Sequence, residues 1–198
     1  MEKLGVLLVG VGGQGVILAS DIVGETALRA GYDVKKTDTL GMAQRGGSVM
    51  SHVRMADSVR SPLMKEGDVD CLVAFEKLEA ARWVSYLRPD GVAIVNDYKR
   101  PPLSVNLGMD RYPSDAELEA VLRGRTGHAY FIEASRRAAE LGNARVVNMF
   151  MLGYLSLFTP IAEELWRECM THRLPEALHR INLAAFDQGR REAASVLI

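Results

Sequence analysis

The pattern of apolar and polar positions predicts an α/β chain with its strands early and its helices dominant toward the end. Short, continuous apolar runs that end at glycine or polar residues are typical of buried strands. Ser48–Met55 instead alternates between apolar and polar residues, which indicates an antiparallel strand at a sheet edge with one wetter face. The predicted strands are Leu4–Val9, Asp33–Thr37, Ser48–Met55, Asp70–Phe75, Val92–Val95 and Ala129–Ile132.

Segments with helical spacing lie between these strands and after them. We expect the first helix to direct Ile17, Ile22 and Val23 toward the sheet and to end at Gly31. Ser114, with glutamate three residues later, has the pattern of a capping box. Pro89-Asp90-Gly91 is predicted to be a turn, and Tyr98–Pro113 an irregular excursion. The predicted helices are Gln14–Ala30, Glu76–Leu87, Ser114–Leu122, a segment from Glu133 to Gly142-Asn143, Val146–Phe158, one starting at Pro160, and Leu174–Val196.

The order of these elements predicts one three-layer α/β/α, Rossmann-like domain. We expect a mixed, mostly parallel sheet and a helical C-terminal region over about residues 133–198. The length of 198 residues fits a single domain over residues 1–198, and 48% apolar with 25% charged residues is an ordinary globular composition.

Charge and cysteine content exclude several classes of function. A formal net charge of -1 gives no global field that would attract nucleic acid or an anionic membrane. No apolar run is long enough to span a bilayer, and the N-terminus lacks the pattern of a signal peptide. Cys71 and Cys169 have no CxxC neighbour, so we expect neither zinc nor an iron–sulfur cluster within this chain. Two buried-looking thiols suit a reducing, cytoplasmic location.

Two glycine-rich loops, each just after a predicted strand, are the main candidate for a functional site. They are Gly10–Gly15 and Gly41–Gly47. Each is expected at the carboxyl edge of the sheet, where α/β folds bind ligands. No residue beside them has the context of a catalytic group. The candidate ligand- or partner-binding residues are Gly12, Gly13, Gln14, Gly15, Gln44, Arg45, Gly46 and Gly47.

The first loop has two readings. Gly10, Gly12 and Gly15 have the spacing of a dinucleotide fingerprint, and Asp38 lies roughly where the ribose-binding acid belongs. The same glycines also suit a tight strand-to-helix turn packed against another polypeptide. Spacing alone leaves both readings open.

Five other residues have a predicted structural or functional role. Arg45, next to two glycines, is suited to present its forked donors to a carboxylate or phosphate, unless the loop is a plain exposed turn. His52 is interpreted as structural, and Glu76 either lines the site or caps its helix. Asn148 and Gly153, inside the most apolar helix, predict close packing on the glycine loops or on another subunit.

Taken together, the two loops resemble those of the gamma-type domain of the 2-oxoacid:ferredoxin oxidoreductases. The form Met-Ala-Gln-Arg-Gly-Gly-Ser is similar to that of the indolepyruvate branch, whose corresponding chain is the beta subunit. The resemblance covers essentially the whole chain and is densest over residues 4–96. Further matching motifs follow in order: Ser61-Pro62-Leu63, Ala74-Phe75-Glu76, Leu87-x-Pro89-x-Gly91 and Asn148-x-x-x-Leu152-Gly153.

The resemblance implies a non-catalytic subunit of a heteromeric enzyme. In that family a larger subunit carries thiamine diphosphate, magnesium and [4Fe-4S] clusters, a 2-oxo acid is oxidatively decarboxylated to an acyl-CoA, and ferredoxin is reduced. This chain has no cluster cysteines and no thiamine–magnesium motif, so we expect it to bind none of these cofactors alone. Leu40 stands where the family pattern suggests histidine, which leaves open another 2-oxo acid, such as pyruvate or 2-oxoglutarate.

Overall fold

A mixed sheet lies at the centre of the chain in the computed structural model, which describes residues 3–41 and 46–197. Over these residues six strands lie side by side in the order β2-β3-β1-β4-β5-β6. All neighbours are parallel except β3, which is antiparallel to both β1 and β2. The strands are β1 (Leu4–Val11), β2 (Asp33–Leu40), β3 (Ser48–Ala56), β4 (Val69–Ala74), β5 (Leu87–Asn96) and β6 (His128–Ile132).

Helices cover both faces of the sheet, so the predicted three-layer α/β/α class is confirmed. Helices α1 and α5 to α8 pack on one face, and α2 and α4 pack on the other. None of the described helices is long and apolar enough to cross a membrane. The helices are α1 (Val16–Arg29), α2 (Lys77–Trp83), α3 (Leu103–Asn106), α4 (Asp115–Arg123), α5 (Ala134–Glu140), α6 (Val147–Ser156), α7 (Glu163–Arg173) and α8 (Glu176–Val196).

The antiparallel direction of β3 was predicted correctly, but its place in the sheet was not. The edge strand is β2, and β3 lies between β2 and β1. Strands β2 and β3 form a hairpin, which Gly41 closes by donating its N–H to the Ser48 carbonyl at 2.8 Å. The face of β3 expected to be wetter is largely covered, because the buried Met64 packs over Met50 and His52.

Three helical expectations also change. Ile17 does not face the sheet, because its side chain is 37% exposed, whereas Ile22 and Val23 are fully buried. Helix α2 ends at Trp83, and a single turn of 3₁₀ helix leads directly into β5. Helix α7 starts after Ala162 rather than at Pro160.

Strand β5 begins earlier than predicted. It starts at Leu87, and the expected turn at Pro89-Asp90-Gly91 lies inside it, where the register with β4 shifts. Turn residues are therefore accommodated within one strand as an irregularity. The capping box at Ser114 is confirmed, since Ser114 and Glu117 exchange both expected hydrogen bonds.

Helix α6 is buried on every side, which explains why its sequence is apolar all round. It crosses α8 at a notch made by two glycines. A Cβ on Gly153 would lie 2.0 Å from the Phe186 carbonyl oxygen, and a Cβ on Gly189 would lie 2.0 Å from that of Phe150. The predicted close packing at Gly153 is thus against this chain's own last helix, not against the glycine loops.

The notch gives a direct test of helix packing. We expect Gly153→Ala to lower the free energy of unfolding by about 1–3 kcal/mol or more, because the added methyl group forces α6 and α8 apart. The matched control is Gly24→Ala in α1, where the new Cβ would lie 3.8 Å from Val34 Cγ1. That change should be neutral or stabilise by up to about 1 kcal/mol through helix propensity. Urea unfolding of both variants makes the comparison, and equal effects would contradict the packing argument.

Candidate functional site

Strand pairing brings the two glycine loops together at the carboxyl edge of the sheet. Val11, the last residue of β1, pairs with Ser48, the first residue of β3. The chain leaving β1 therefore meets the chain entering β3. Gly12 N–H donates to the Gly47 carbonyl at 2.9 Å, so the first loop is hydrogen bonded directly to the second.

Gln14 braces the first loop from inside. Its Oε1 accepts from the Val11 N–H at 2.7 Å, and its Nε2 donates to the Phe75 carbonyl at 3.0 Å. The side chain thus ties the end of β1 to the end of β4. Gly10 makes room for it, because a Cβ there would lie 2.8 Å from Gln14 Oε1. Both ends of the Gln14 amide are engaged within the chain, which points to a bracing role.

Three glycines of the loops need a left-handed backbone, which L side chains rarely adopt. The φ angles are 100° at Gly13, 78° at Gly15 and 77° at Gly46. No atom of the described residues lies within 4 Å of the position that a Cβ would take at Gly13 or Gly46. Toward the described part of the chain, these two glycines therefore present bare backbone. Gly12 is not among the described glycines with positive φ.

The base of the second loop is anchored by a buried carboxylate. Glu79 accepts a hydrogen bond from Ser48 Oγ, and also from Arg82 Nε at 3.1 Å and Trp83 Nε1 at 3.3 Å. Helix α2 thereby holds the residue where the loop rejoins β3. Gln44 and Arg45, which were predicted as site residues, lie outside the described residues.

A cavity of about 510 Å³ opens beside the first loop. Its floor is the start of α1, and its walls come from the segment after β5 and from the starts of α5 and α6. The predicted residues Gly13, Gln14 and Gly15 line it, whereas Gly46 and Gly47 do not. The lining residues are Gly13, Gln14, Gly15, Leu18, Tyr98, Arg100, Ser135, Ala144, Arg145, Val147 and Asn148.

The cavity is electropositive. It is lined by two arginines, Arg100 and Arg145, and by no acidic residue among those described. Neither guanidinium has a hydrogen-bond or ion-pair partner among the described residues. The sequence alone does not indicate either arginine as a site residue, because the two lie far apart on separate segments. Only the topology shows that both reach the same cavity.

Glu76 supports this cavity rather than lining it. Its carboxylate caps α2 by accepting from the Glu79 N–H at 2.9 Å, and it accepts from the Arg100 N–H at 3.0 Å and from the Tyr112 hydroxyl. Burial and this carboxylate raise the pKa of the Tyr112 phenol. The capping alternative for Glu76 is therefore correct, and the residue also holds the segment that carries Arg100.

The geometry disfavours a dinucleotide site at the first loop. The ribose-binding acid of such a site follows the strand next to β1, but here β3 separates β1 from β2, which carries Asp38. The Asp38 carboxylate accepts hydrogen bonds from Ser51 Oγ at 2.6 Å and Lys36 Nζ at 2.9 Å. Asp38 therefore lies one strand away from the first loop, and its carboxylate is already hydrogen bonded within the chain.

A second cleft, of about 790 Å³, lies over the other face of the sheet beside β3, and His52 lines it. His52 is 2% exposed, and its Nδ1 accepts from the Met64 N–H at 3.4 Å. Burial lowers the pKa of His52, which favours the neutral ring. These contacts support the structural interpretation of this histidine.

The described residues provide no group of three or more histidine, cysteine or carboxylate side chains that would hold a metal ion. Cys71 and Cys169 are both buried as free thiols. Burial raises the pKa of Cys71 to about 12 and also raises that of Cys169. The thiolate is the reactive and metal-binding form, so both cysteines are suited to packing.

Comparison with known proteins gives one family match and several relatives that cover most of the chain. The model of the pyruvate ferredoxin/flavodoxin oxidoreductase family matches residues 5–192. Indolepyruvate oxidoreductase subunit IorB of Thermococcus kodakarensis is 33% identical over 100% of this chain and 99% of its own length. The protein of the same name from Archaeoglobus fulgidus is 36% identical over 98% and 96%. The 2-oxoglutarate synthase subunit KorC of Methanothermobacter thermautotrophicus is 30% identical over 92% and 91%.

Solved structures support the same relationship. The keto/oxoacid ferredoxin oxidoreductase gamma subunit of Geobacter sulfurreducens has the same fold, with a TM-score of 0.72 at 24% identity over 97% of this chain and 99% of that one. The 2-oxoglutarate:ferredoxin oxidoreductase of Magnetococcus marinus, solved with 2-oxoglutarate, coenzyme A and succinyl-CoA, gives 0.77 at 26% identity. That superposition covers 98% of this chain but 32% of the longer Magnetococcus chain. With a family match over nearly its whole length and close relatives of equal size, the chain belongs to the pyruvate ferredoxin/flavodoxin oxidoreductase family.

Proposed function

We propose that this chain is the small, non-catalytic subunit of a thiamine-dependent 2-oxoacid:ferredoxin oxidoreductase. The observation that carries the proposal is the pair of hydrogen-bonded glycine loops at one sheet edge, with bare backbone at Gly13 and Gly46. Backbone without side chains allows another polypeptide or a cofactor to approach closely. The loops are therefore assigned to the interface with the larger subunit.

The chemistry of the described cavity suits binding rather than catalysis. Its lining includes no histidine, cysteine or carboxylate to serve as a general base or nucleophile. Ser135 is the one described lining serine, and its hydroxyl already accepts from Asn96 Nδ2 at 2.8 Å. The decarboxylation and electron-transfer chemistry is accordingly assigned to a partner.

The proposed partner is a larger subunit that holds thiamine diphosphate, magnesium and [4Fe-4S] clusters. Within this assembly a 2-oxo acid loses carbon dioxide, its acyl group passes to coenzyme A, and ferredoxin accepts the electrons. Indolepyruvate or another arylpyruvate is the favoured substrate, because the relatives that are 33–36% identical bear the name indolepyruvate oxidoreductase subunit. Use of 2-oxoglutarate is the second candidate, favoured by the 30% identical synthase subunit.

Reconstitution tests the proposed function. We expect the isolated chain to bind neither thiamine diphosphate nor iron and to have no oxidoreductase activity. Co-expressed with the larger subunit of the same source, it should co-purify and support viologen reduction that depends on arylpyruvate and coenzyme A. Parallel assays with pyruvate and 2-oxoglutarate decide the substrate. Stoichiometric iron in the isolated chain, or turnover without the partner, would refute the assignment.

Gly12→Val tests whether the first loop serves close approach. Since Gly12 does not need a positive φ, we expect the isolated variant to fold while its association with the larger subunit fails. Gly127→Val is the control at another glycine without positive φ, which is exposed and has no described atom within 4 Å of its Cβ position. The readouts are melting temperature and co-purification. A Gly12→Val chain that folds and assembles normally would count against a role for this loop.

Arg45→Ala tests the second loop. A loop charge contributes little to folding, so the free chain should melt near the wild-type temperature. In the complex, loss of one charge-assisted pair should weaken subunit affinity or raise the KM for coenzyme A by about tenfold or more. Subunit titration and steady-state kinetics measure both effects. A sharp fall in melting temperature with unchanged affinity and kinetics would make Arg45 a structural residue.

A further inference from the structure

An apolar patch lies on the excursion between β5 and α4, which we call the arm (residues 97–113). Leu103 is 70% exposed, Leu107 64% and Met109 78%, and these are the most exposed large apolar side chains that the structure describes. Leu107 donates its N–H to the Leu103 carbonyl at 2.9 Å, so these two leucines lie on the same face of a helical turn. Single exposed apolar residues are ordinary, whereas a cluster of them indicates a surface that another molecule covers.

Buried charged side chains at the start of α2 hold the arm in place. Glu76 accepts hydrogen bonds from the Arg100 N–H at 3.0 Å and from the Tyr112 hydroxyl, so one carboxylate joins the two ends of the arm. Beside it, the buried Lys77 forms an ion pair with Asp97, the first residue of the arm. The arm is therefore a preformed surface, and a partner that binds it loses little affinity to the ordering of a loop.

The base of the arm is continuous with the first glycine loop and carries a free positive charge. Tyr98 and Arg100 line the same cavity as the first loop. The Arg100 guanidinium has no partner in the described part of the chain, whereas the neighbouring Lys99 pairs with Asp115 at 2.8 Å. The surface next to the apolar patch is thus complementary to a carboxylate on another molecule.

We infer that the arm docks into an apolar groove of the larger subunit, bordered by a carboxylate that pairs with Arg100. The inference rests on the proposed function for the identity of the partner. Small-molecule sites are concave, whereas side chains as exposed as Leu103, Leu107 and Met109 are suited to enter a groove in another protein. An apolar centre with a charged rim is the usual anatomy of a protein interface. The larger subunit is favoured over a second copy, because the arm adjoins the loop assigned to that subunit.

Titration of the larger subunit with the full-length chain tests the inference. Leu103→Asp and Leu107→Asp, made separately, should each weaken the affinity about 100-fold or more, because a carboxylate would be buried in an apolar groove. Both variants should melt near the wild-type temperature, since the replaced side chains are exposed. Leu28→Asp is the matched control, because Leu28 is 56% exposed near the end of α1 that is remote from the first loop, and it should bind like the wild type. Arg100→Ala should weaken the affinity about tenfold and make it less dependent on salt.

Two results would refute the arm while keeping the proposed function. One is that the wild type and both aspartate variants bind the larger subunit equally well, and the other is that Leu28→Asp weakens binding as much as they do. The inference is also wrong if the isolated wild-type chain sediments as a dimer that Leu103→Asp converts to a monomer, because the arm would then cover a second copy. A wild-type chain that does not bind the larger subunit at all would overturn the proposed function and the inference together.

Discussion

The placement of β3 between β1 and β2 is the constraint on which the candidate site depends. Because β3 runs antiparallel to β1, its first residue meets the last residue of β1, and the hydrogen bond from Gly12 to Gly47 follows from that register. The same insertion moves Asp38 one strand away from the first loop. One topological feature therefore joins the two loops and removes the acid that a dinucleotide site would use.

Acidic and basic side chains at this edge of the sheet have different roles. Carboxylates near the loops are turned inward as braces: Glu79 holds the base of the second loop, and Glu76 holds the segment that carries Arg100. The two cavity arginines, Arg100 and Arg145, have no side-chain partner among the residues that the structure describes. Since an ion pair within the chain would neutralise such a guanidinium, the arrangement keeps positive charge available for something that is not part of this chain.

Local sequence patterns predicted the layers well, because strand and helix periods reflect contacts that each element makes with the core. The continuous apolar run of β1 and the capping box of α4 are examples. Errors arose where pairing over long distances decides the outcome. The interior position of β3 depends on a hairpin that inserts beside β1, and the early start of β5 depends on a register shift against β4. No local sequence pattern indicates either the strand insertion or the register shift.

The site was predictable only in part, for the same reason. Glycines of positive φ are visible in a sequence as loop signals, so the first loop was found. Gln14 was predicted as a ligand- or partner-binding residue, and its amide is hydrogen bonded to the ends of two strands. Arg100 and Arg145 come from separate segments that only the fold brings to one cavity. The close approach of the Asn148 side chain to Gly15 likewise becomes visible only when the fold is known.

The glycine notch between α6 and α8 also bears on the order in which the chain matures. Helix α6 is apolar on every side, and α8, the last described helix, fits the notch at Gly153. During synthesis, α6 leaves the ribosome well before α8 can cover it. The face of α6 that α8 covers therefore stays open until α8 has been made, and the arrival of α8 completes the burial of the helix that carries Asn148.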